Sequence, residues 1–142
     1  MKTLNVYLDS DVLVSSCLSS TGAANLLLNI NTLVKFYSNI QKNELKIVFE
    51  RLSIQPIKLS QALKKCTIIT LKSPHFASYS KYTTDVNDRH IIAGAVTSGT
   101  KFLISYNLKH FQVESLKRDF GLITFTPAQF LQYARISLPR LR

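Results

Sequence analysis

Glycine, proline, tryptophan and acid are all in short supply in this chain of 142 residues, which has four Gly, four Pro and no Trp. So little Gly and Pro excludes a collagen-like, low-complexity or disordered chain. At this length, with 46% hydrophobic residues, a core can form without a metal or disulfide staple. The two cysteines, Cys17 and Cys66, lie far apart and follow no zinc spacing. That argues against a disulfide framework and for two reduced, mostly buried thiols. No apolar run reaches the ~20 residues of a membrane span. Asp9 and Asp11 interrupt the only stretch that could serve as a signal peptide. The expectation is one soluble, cytoplasmic domain over residues 1–142.

Acid is the scarcest resource relative to its counterpart. Eight Asp and Glu face eighteen Lys and Arg, a net charge of +10. A fold does not need that excess; it predicts attraction to polyanions, with nucleic acid first. The basic residues are not a tail. They run from Lys2 to Arg142, with modest clusters at Lys64-Lys65, Lys117-Arg118 and Arg140/Arg142. Among the acids, four form two close pairs, Asp9/Asp11 and Asp85/Asp88, each abutting a strongly apolar segment. Solvated acids rarely sit there. Acids at the edges of the core of a basic protein suggest a cation site within a polyanion-binding surface.

The pattern of elements says where those acids go. Leu4–Leu8 reads as a strand followed at once by Asp9-Ser10-Asp11. Residues 12–18 and 23–31 read as helical, and Leu33–Tyr37 as a strand. Ser38-Asn39-Ile40-Gln41 fits a capping box opening a helix to about Leu52, with Leu45, Val48, Phe49 and Leu52 as its apolar stripe. Glu44 lies about 90° from the centre of that stripe, at the core margin, whereas Glu50 faces away. A helix over 56–65, a β-rich run over 67–71 and a loop over 72–84 containing Ser73-Pro74 follow. Asp85 opens a helix closed by Gly99, on which Asp88 shares a face with Ile91 and Ile92. Strands at 101–105 and 122–125 and a helix capped by Thr126-Pro127, running to about Ile136, complete the chain. Strands that are nearly unbroken apolar runs, alternating with helices, predict a buried parallel sheet covered on both faces, an α/β/α arrangement. Sites in such sheets form outside the carboxyl ends of the strands. Asp9 and Asn107, each following a strand, then share one edge.

Four segments in order carry a resemblance: Val6-Tyr7-Leu8-Asp9-Ser10-Asp11, Ser38…Glu44-Leu45, Asp85-Val86-Asn87-Asp88-Arg89-His90-Ile91-Ile92-Ala93, and Phe102-Leu103-Ile104-Ser105-Tyr106-Asn107-Leu108-Lys109-His110-Phe111. Together they resemble a PIN domain of the VapC-like toxin branch, and the closing Thr126-Pro127-Ala128-Gln129-Phe130-Leu131 is similar to that family's last helix. The resemblance spans nearly the whole chain. It implies a three-layer α/β/α ribonuclease fold that hydrolyses RNA phosphodiesters with Mg²⁺ or Mn²⁺. It implies Asp9, Glu44 and Asp88 as catalytic acids and metal ligands, with Asp88 a ligand or a water-orienting base. Asn107 stands where many members carry a fourth Asp, Asp11 where Asn is frequent, and Ser105 where Thr or Ser is usual. With Ser38, the latter two are auxiliary. The missing carboxylate at Asn107 implies weak Mg²⁺ binding unless Asp11 points inward. Arg51, Arg89 and Lys109 are the basic residues expected at the rim, against the RNA backbone.

Two other readings compete. Asp9-Ser10-Asp11-Val12 after a strand also resembles the first motif of haloacid-dehalogenase phosphatases, in which the first Asp is a nucleophile. That family needs a later acidic motif at a strand end, whereas Asp85–Asp88 opens a helix. A degenerate PIN-like module that binds RNA or a partner without cutting is the second alternative. If the chain is a toxin, the resemblance implies an antitoxin segment over the acid pocket. Its groove is expected among the early helices, where Leu13, Leu26, Leu27 and Leu28 exceed the needs of one core face; homodimerisation is a further expectation.

Overall fold

The computed structural model describes residues 4–72 and 75–137. Lys2, Ser73, Pro74, Arg140 and Arg142 lie outside the described residues. The elements in order are β1 (Leu4–Leu8), α1 (Ser10–Leu18), α2 (Ala23–Leu28), β2 (Leu33–Ser38), α3 (Asn39–Arg51), α4 (Pro56–Leu63) and β3 (Thr67–Ile69). Two 3₁₀ segments, His75–Tyr82 and Val86–Asp88, lead into α5 (Arg89–Ser98) and β4 (Phe102–Ile104). A 3₁₀ turn at Leu108–His110, α6 (Val113–Phe120), β5 (Ile123–Phe125) and α7 (Pro127–Ser137) follow.

All strand pairings are parallel, in the order β3-β2-β1-β4-β5. This is the three-layer α/β/α arrangement with a central parallel sheet. Alternation along the strands sorts the core into two halves. Val6, Leu8, Phe102 and Ile104 pack with Leu13, Leu27, Leu45, Phe49 and Phe130 on one face. Tyr7 and Leu103 pack with Ile91, Ile92, Leu116 and Leu122 on the other. One glycine is dictated by a close approach: a Cβ on Gly94 would collide with the ring and hydroxyl of Tyr7, so α5 lies against β1 only because that residue has no side chain. Gly99 closes α5 in the left-handed region, at φ 70°.

Several expectations shift in detail. The capping box forms: Ser38 Oγ accepts from Gln41 N at 3.2 Å, and Gln41 Oε1 accepts from Ser38 N at 2.9 Å. The helix expected from Asp85 starts as a 3₁₀ turn, closed by Asp88 N donating to Asp85 O at 3.0 Å and capped by the Asp85 carboxylate on Asn87 N at 2.9 Å, and becomes α5 only at Arg89. Of the leucines assigned to a groove, Leu13, Leu27 and Leu28 are core, and only Leu26 is exposed. Leu13 and Leu27 are spent on the core, while Leu28 lies under a groove among α1, α2 and α4 whose walls include Ser16, Asn25 and Lys58. Lys35 is also interior; its ammonium donates to Leu28 O (2.6 Å) and Ile30 O (2.9 Å), tying off the end of α2. Cys17 and Cys66 are half-buried and unpaired.

Candidate functional site

From β1 the chain runs out to β2 and β3 on one side, and β4 and β5 lie on the other. The order therefore reverses between β1 and β4, and a crevice opens outside their carboxyl ends. The register Leu8↔Ile104 puts the next residue of each strand, Asp9 and Ser105, side by side at that crevice. Ser105 Oγ donates to Asp9 Oδ2 at 2.8 Å and accepts from Asn107 N at 3.0 Å. The other Asp9 oxygen accepts from Ser10 N at 2.7 Å, so Asp9 caps α1. Both of its oxygens are held, and the residue is buried.

Asp11, in the first turn of α1, turns inward. Its Oδ2 accepts from Tyr106 N at 3.2 Å and from Asn107 Nδ2 at 3.0 Å, while its Oδ1 is buried with no hydrogen-bond partner. Asn107 thus reaches the edge where Asp9 lies, with its amide spent on Asp11. Asp88 ends the 3₁₀ turn before α5, half-buried, with Oδ2 3.5 Å from His110 Nδ1. Side chains three apart eclipse in 3₁₀ geometry. Accordingly Asp85 and Asp88 stand on one side, and with His110 they place three ligand atoms within 4.8 Å of one another.

Glu44 lies on α3 facing α5. Its side chain is 46% exposed, and both oxygens reach His90 Nε2, at 3.1 and 3.2 Å. A carboxylate on Nε2 requires the proton there; His90 Nδ1 is then buried without a partner. His90, on α5, links Glu44 on α3 to the Asp88 end of the site. Behind them lies a closed polar network. Tyr7 Oη donates to Gln41 Oε1 at 2.6 Å, and Gln41 Nε2 donates to Leu8 O at 2.7 Å and to Ser10 Oγ at 3.3 Å. Gln41 is fully buried and clamps the end of β1, which presents Asp9, onto the start of α3.

Charge accumulates at this edge. Burial, then Asp11 and Asp88, push the Asp9 carboxyl up to about 7, against the hydrogen bonds from Ser105 and Ser10 that favour its ionised form. Burial also pushes Asp11 up to about 6, with Asp88 adding to it, against the N–H donors of Tyr106 and Val12. Asp88 is raised by burial and by Asp85, and lowered by His110 and His90. The three carboxylates feel one another. Of the basic residues expected at the rim, Arg89 opens α5 directly after Asp88, half-buried, with its Nε lacking a partner. Lys109 is exposed beside His110. Arg51 lies in the last turn of α3, about 10 Å along the axis beyond Glu44.

His90 and His110 carried no assigned role in the sequence, and Asp85 and Gln41 only those of helix caps. A spacing of three within a 3₁₀ turn was the available signal for Asp85 beside Asp88. Nothing local marked the two histidines, and the capping box at Gln41 did not show its distant partners Tyr7, Leu8 and Ser10.

No family model and no curated protein matches the chain. Solved structures do. One is VapBC2 from Rickettsia felis, crystallised bound to a DNA fragment from its promoter. It superposes with a TM-score of 0.62 at 20% identity, over 87% of this chain and 98% of the other. At that identity the likeness is one of fold.

Proposed function

We propose that the chain is a PIN-type ribonuclease dependent on Mg²⁺ or Mn²⁺, and the toxin of a toxin–antitoxin pair. The observation that carries the reading is the carboxylate cluster at the β1/β4 crevice of a protein with net charge +10. Carboxylates that raise one another's proton affinity, with one buried oxygen of Asp11 unpartnered, fit a hard divalent cation. Asp9, Asp11 and Asp88 would hold it, with Glu44 reaching in beside His90. Such an ion, when bound, neutralises phosphate charge and lowers the pKa of a water. Ser105 fixes the rotamer of Asp9, Asn107 fixes that of Asp11, and Asp88 orients the attacking water. Arg89 and Lys109 meet the phosphates flanking the scissile bond. Arg89 has an unsatisfied Nε to offer.

Partnership with an antitoxin is supported by the likeness to a chain of VapBC2. The exposed apolar residues Leu18, Leu26 and Ile57 on α1, α2 and α4 offer an antitoxin helix an apolar surface. The second reading, a binder that does not cut, is favoured by a single feature: an amide rather than a carboxylate at Asn107. Purified protein and single-stranded RNA decide between them. Cleavage with Mn²⁺, stopped by a chelator and absent in Asp9→Asn, supports the nuclease. RNA bound but left intact with either metal supports the binder.

A further inference from the structure

We propose that the groove between α3 and α4 is a second nucleic-acid site, which grips the sugar–phosphate backbone of RNA through Lys42, Lys46 and Lys64. The proposal rests on the ribonuclease reading for the identity of the polyanion. The groove, of about 390 Å³, has Tyr37, Leu59 and Leu63 as its floor and the three lysines and Ser60 at its walls. All three lysines are exposed, and among the described residues none makes an ion pair or a side-chain hydrogen bond. Countercharge is sparse around them. α4 carries no acid, and of the two on α3, Glu44 is engaged by His90, which leaves only Glu50, a turn beyond Lys46. Three exposed ammonium groups around one groove repel one another. A bound polyanion removes that repulsion.

Geometry favours a phosphodiester strand over an acidic peptide. Lys42 and Lys46 are one turn apart on α3, with their Cβ atoms ~6 Å apart. That compares with the step between neighbouring phosphates of an extended nucleic-acid strand, and Lys64 stands across the groove from them. Lysines are point charges that hold a backbone without reading bases. The groove also lies on the helix that presents Glu44. Lys42 is two residues earlier and rotated roughly 200° about the axis. A strand leaving the carboxylate crevice over the start of α3 reaches Lys42 first. The groove then holds the RNA away from the point of cleavage, adding affinity without touching the reacting atoms.

The test measures binding apart from cleavage. Fluorescein-labelled oligouridylate is titrated against Asp9→Asn protein by anisotropy over a range of salt, with and without Lys42→Gln/Lys46→Gln/Lys64→Gln. A second triple, Lys81→Gln/Lys101→Gln/Lys117→Gln, removes the same charge elsewhere. Losing three phosphate contacts on a single strand flattens the plot of log K against log salt by about 2, which is about 100-fold weaker binding at about 0.1 M salt, converging near 1 M. The expected result is that loss for the groove triple only, with cleavage of a dinucleotide by otherwise wild-type protein unchanged. Equal losses from both triples, or none from the groove triple, would overturn the site. Polyglutamate competing as well as RNA at equal charge would overturn the choice of ligand. Absence of cleavage together with groove-dependent binding would sink the nuclease reading and leave this one standing.

Discussion

Asp9→Asn should make the metal-free protein more stable, and only above the acid range. Asp9 is buried, and its carboxyl is raised from 3.8 to about 7, first by burial and then by Asp11. An acid raised in the folded state binds its proton more tightly there than in the unfolded chain. Folding therefore favours the protonated form, and stability falls as pH rises from about 3.8 through about 7. Below that window the carboxyl is neutral in both states and costs nothing. Above it the full cost is present: roughly three decades of proton affinity at about 1.4 kcal/mol each, a ceiling of about 4 kcal/mol. Asparagine is close to a permanently neutral Asp9. Its Oδ1 still accepts from Ser10 N, but its amide must face Ser105 Oγ, and a reoriented hydroxyl returns on the order of 1 kcal/mol. The net gain is about 2–4 kcal/mol at alkaline pH, shrinking to nothing at about pH 4. Urea unfolding of both proteins in chelator across that range gives the comparison, and the general repulsion of a +10 chain cancels in the difference. Saturating Mn²⁺ should reverse the order, because the ion stabilises only the protein that binds it. A variant no more stable than wild type at alkaline pH, or a difference independent of pH, would refute the account of Asp9.

Other substitutions probe the shell around it. Ser105→Ala removes a donor that favours ionised Asp9, so Asp9 should protonate at still higher pH; calorimetry should show Mn²⁺ affinity falling more near neutrality than at alkaline pH. Asn107→Asp places a carboxylate against Asp11 Oδ2 in place of an amide donor at 3.0 Å. It should destabilise the chelated protein at alkaline pH by on the order of 1–3 kcal/mol and tighten Mn²⁺ binding; equal affinities would show that position 107 does not face the ion. Gly94→Ala drives a methyl into the fully buried Tyr7. A loss of about 1–3 kcal/mol or more is expected in urea unfolding, and an unchanged midpoint would mean that α5 can retreat from β1 at no cost.

The sheet was legible because its signal is local. Strands such as Val6-Tyr7-Leu8 and Phe102-Leu103-Ile104 are apolar on both faces, which only a sheet covered on both sides needs. The capping box at Ser38 and the terminator at Gly99 were legible for the same reason, since each is decided within a few residues. The amphipathic helix α6 went unread because it falls between the segments that carry the resemblance, and a short charged helix has few apolar positions to count. What joined the site was not local at all. Asp11 could have faced solvent or the crevice. The choice falls to Tyr106 N and Asn107 Nδ2, about a hundred residues away in the chain, and neither shows in the pattern around Asp11.

Glu44 shows the same limit from the other side. Its angle on the helix placed it at a core boundary, and angle alone cannot say what lies across the boundary. The neighbour is His90, and the sequence presents that residue as one member of the apolar turn Ile91-Ile92-Ala93. A buried histidine facing α3 and acting on Asp88 explains how a half-exposed glutamate is tied to that side of the site without being buried itself. The pair also divides the labour of the edge. Asp9 and Asp11 are fixed by the strands and the start of α1, elements clamped together by the fully satisfied Gln41. Asp88, Asp85 and His110 are carried on 3₁₀ turns joined by the Thr83–Phe111 bridge and by Thr84 N donating to His110 O at 2.9 Å. The sheet and α1 set the position of one half of the charge, and the 3₁₀ turns that of the other. A cation that binds both halves would therefore tighten the turns more than the sheet.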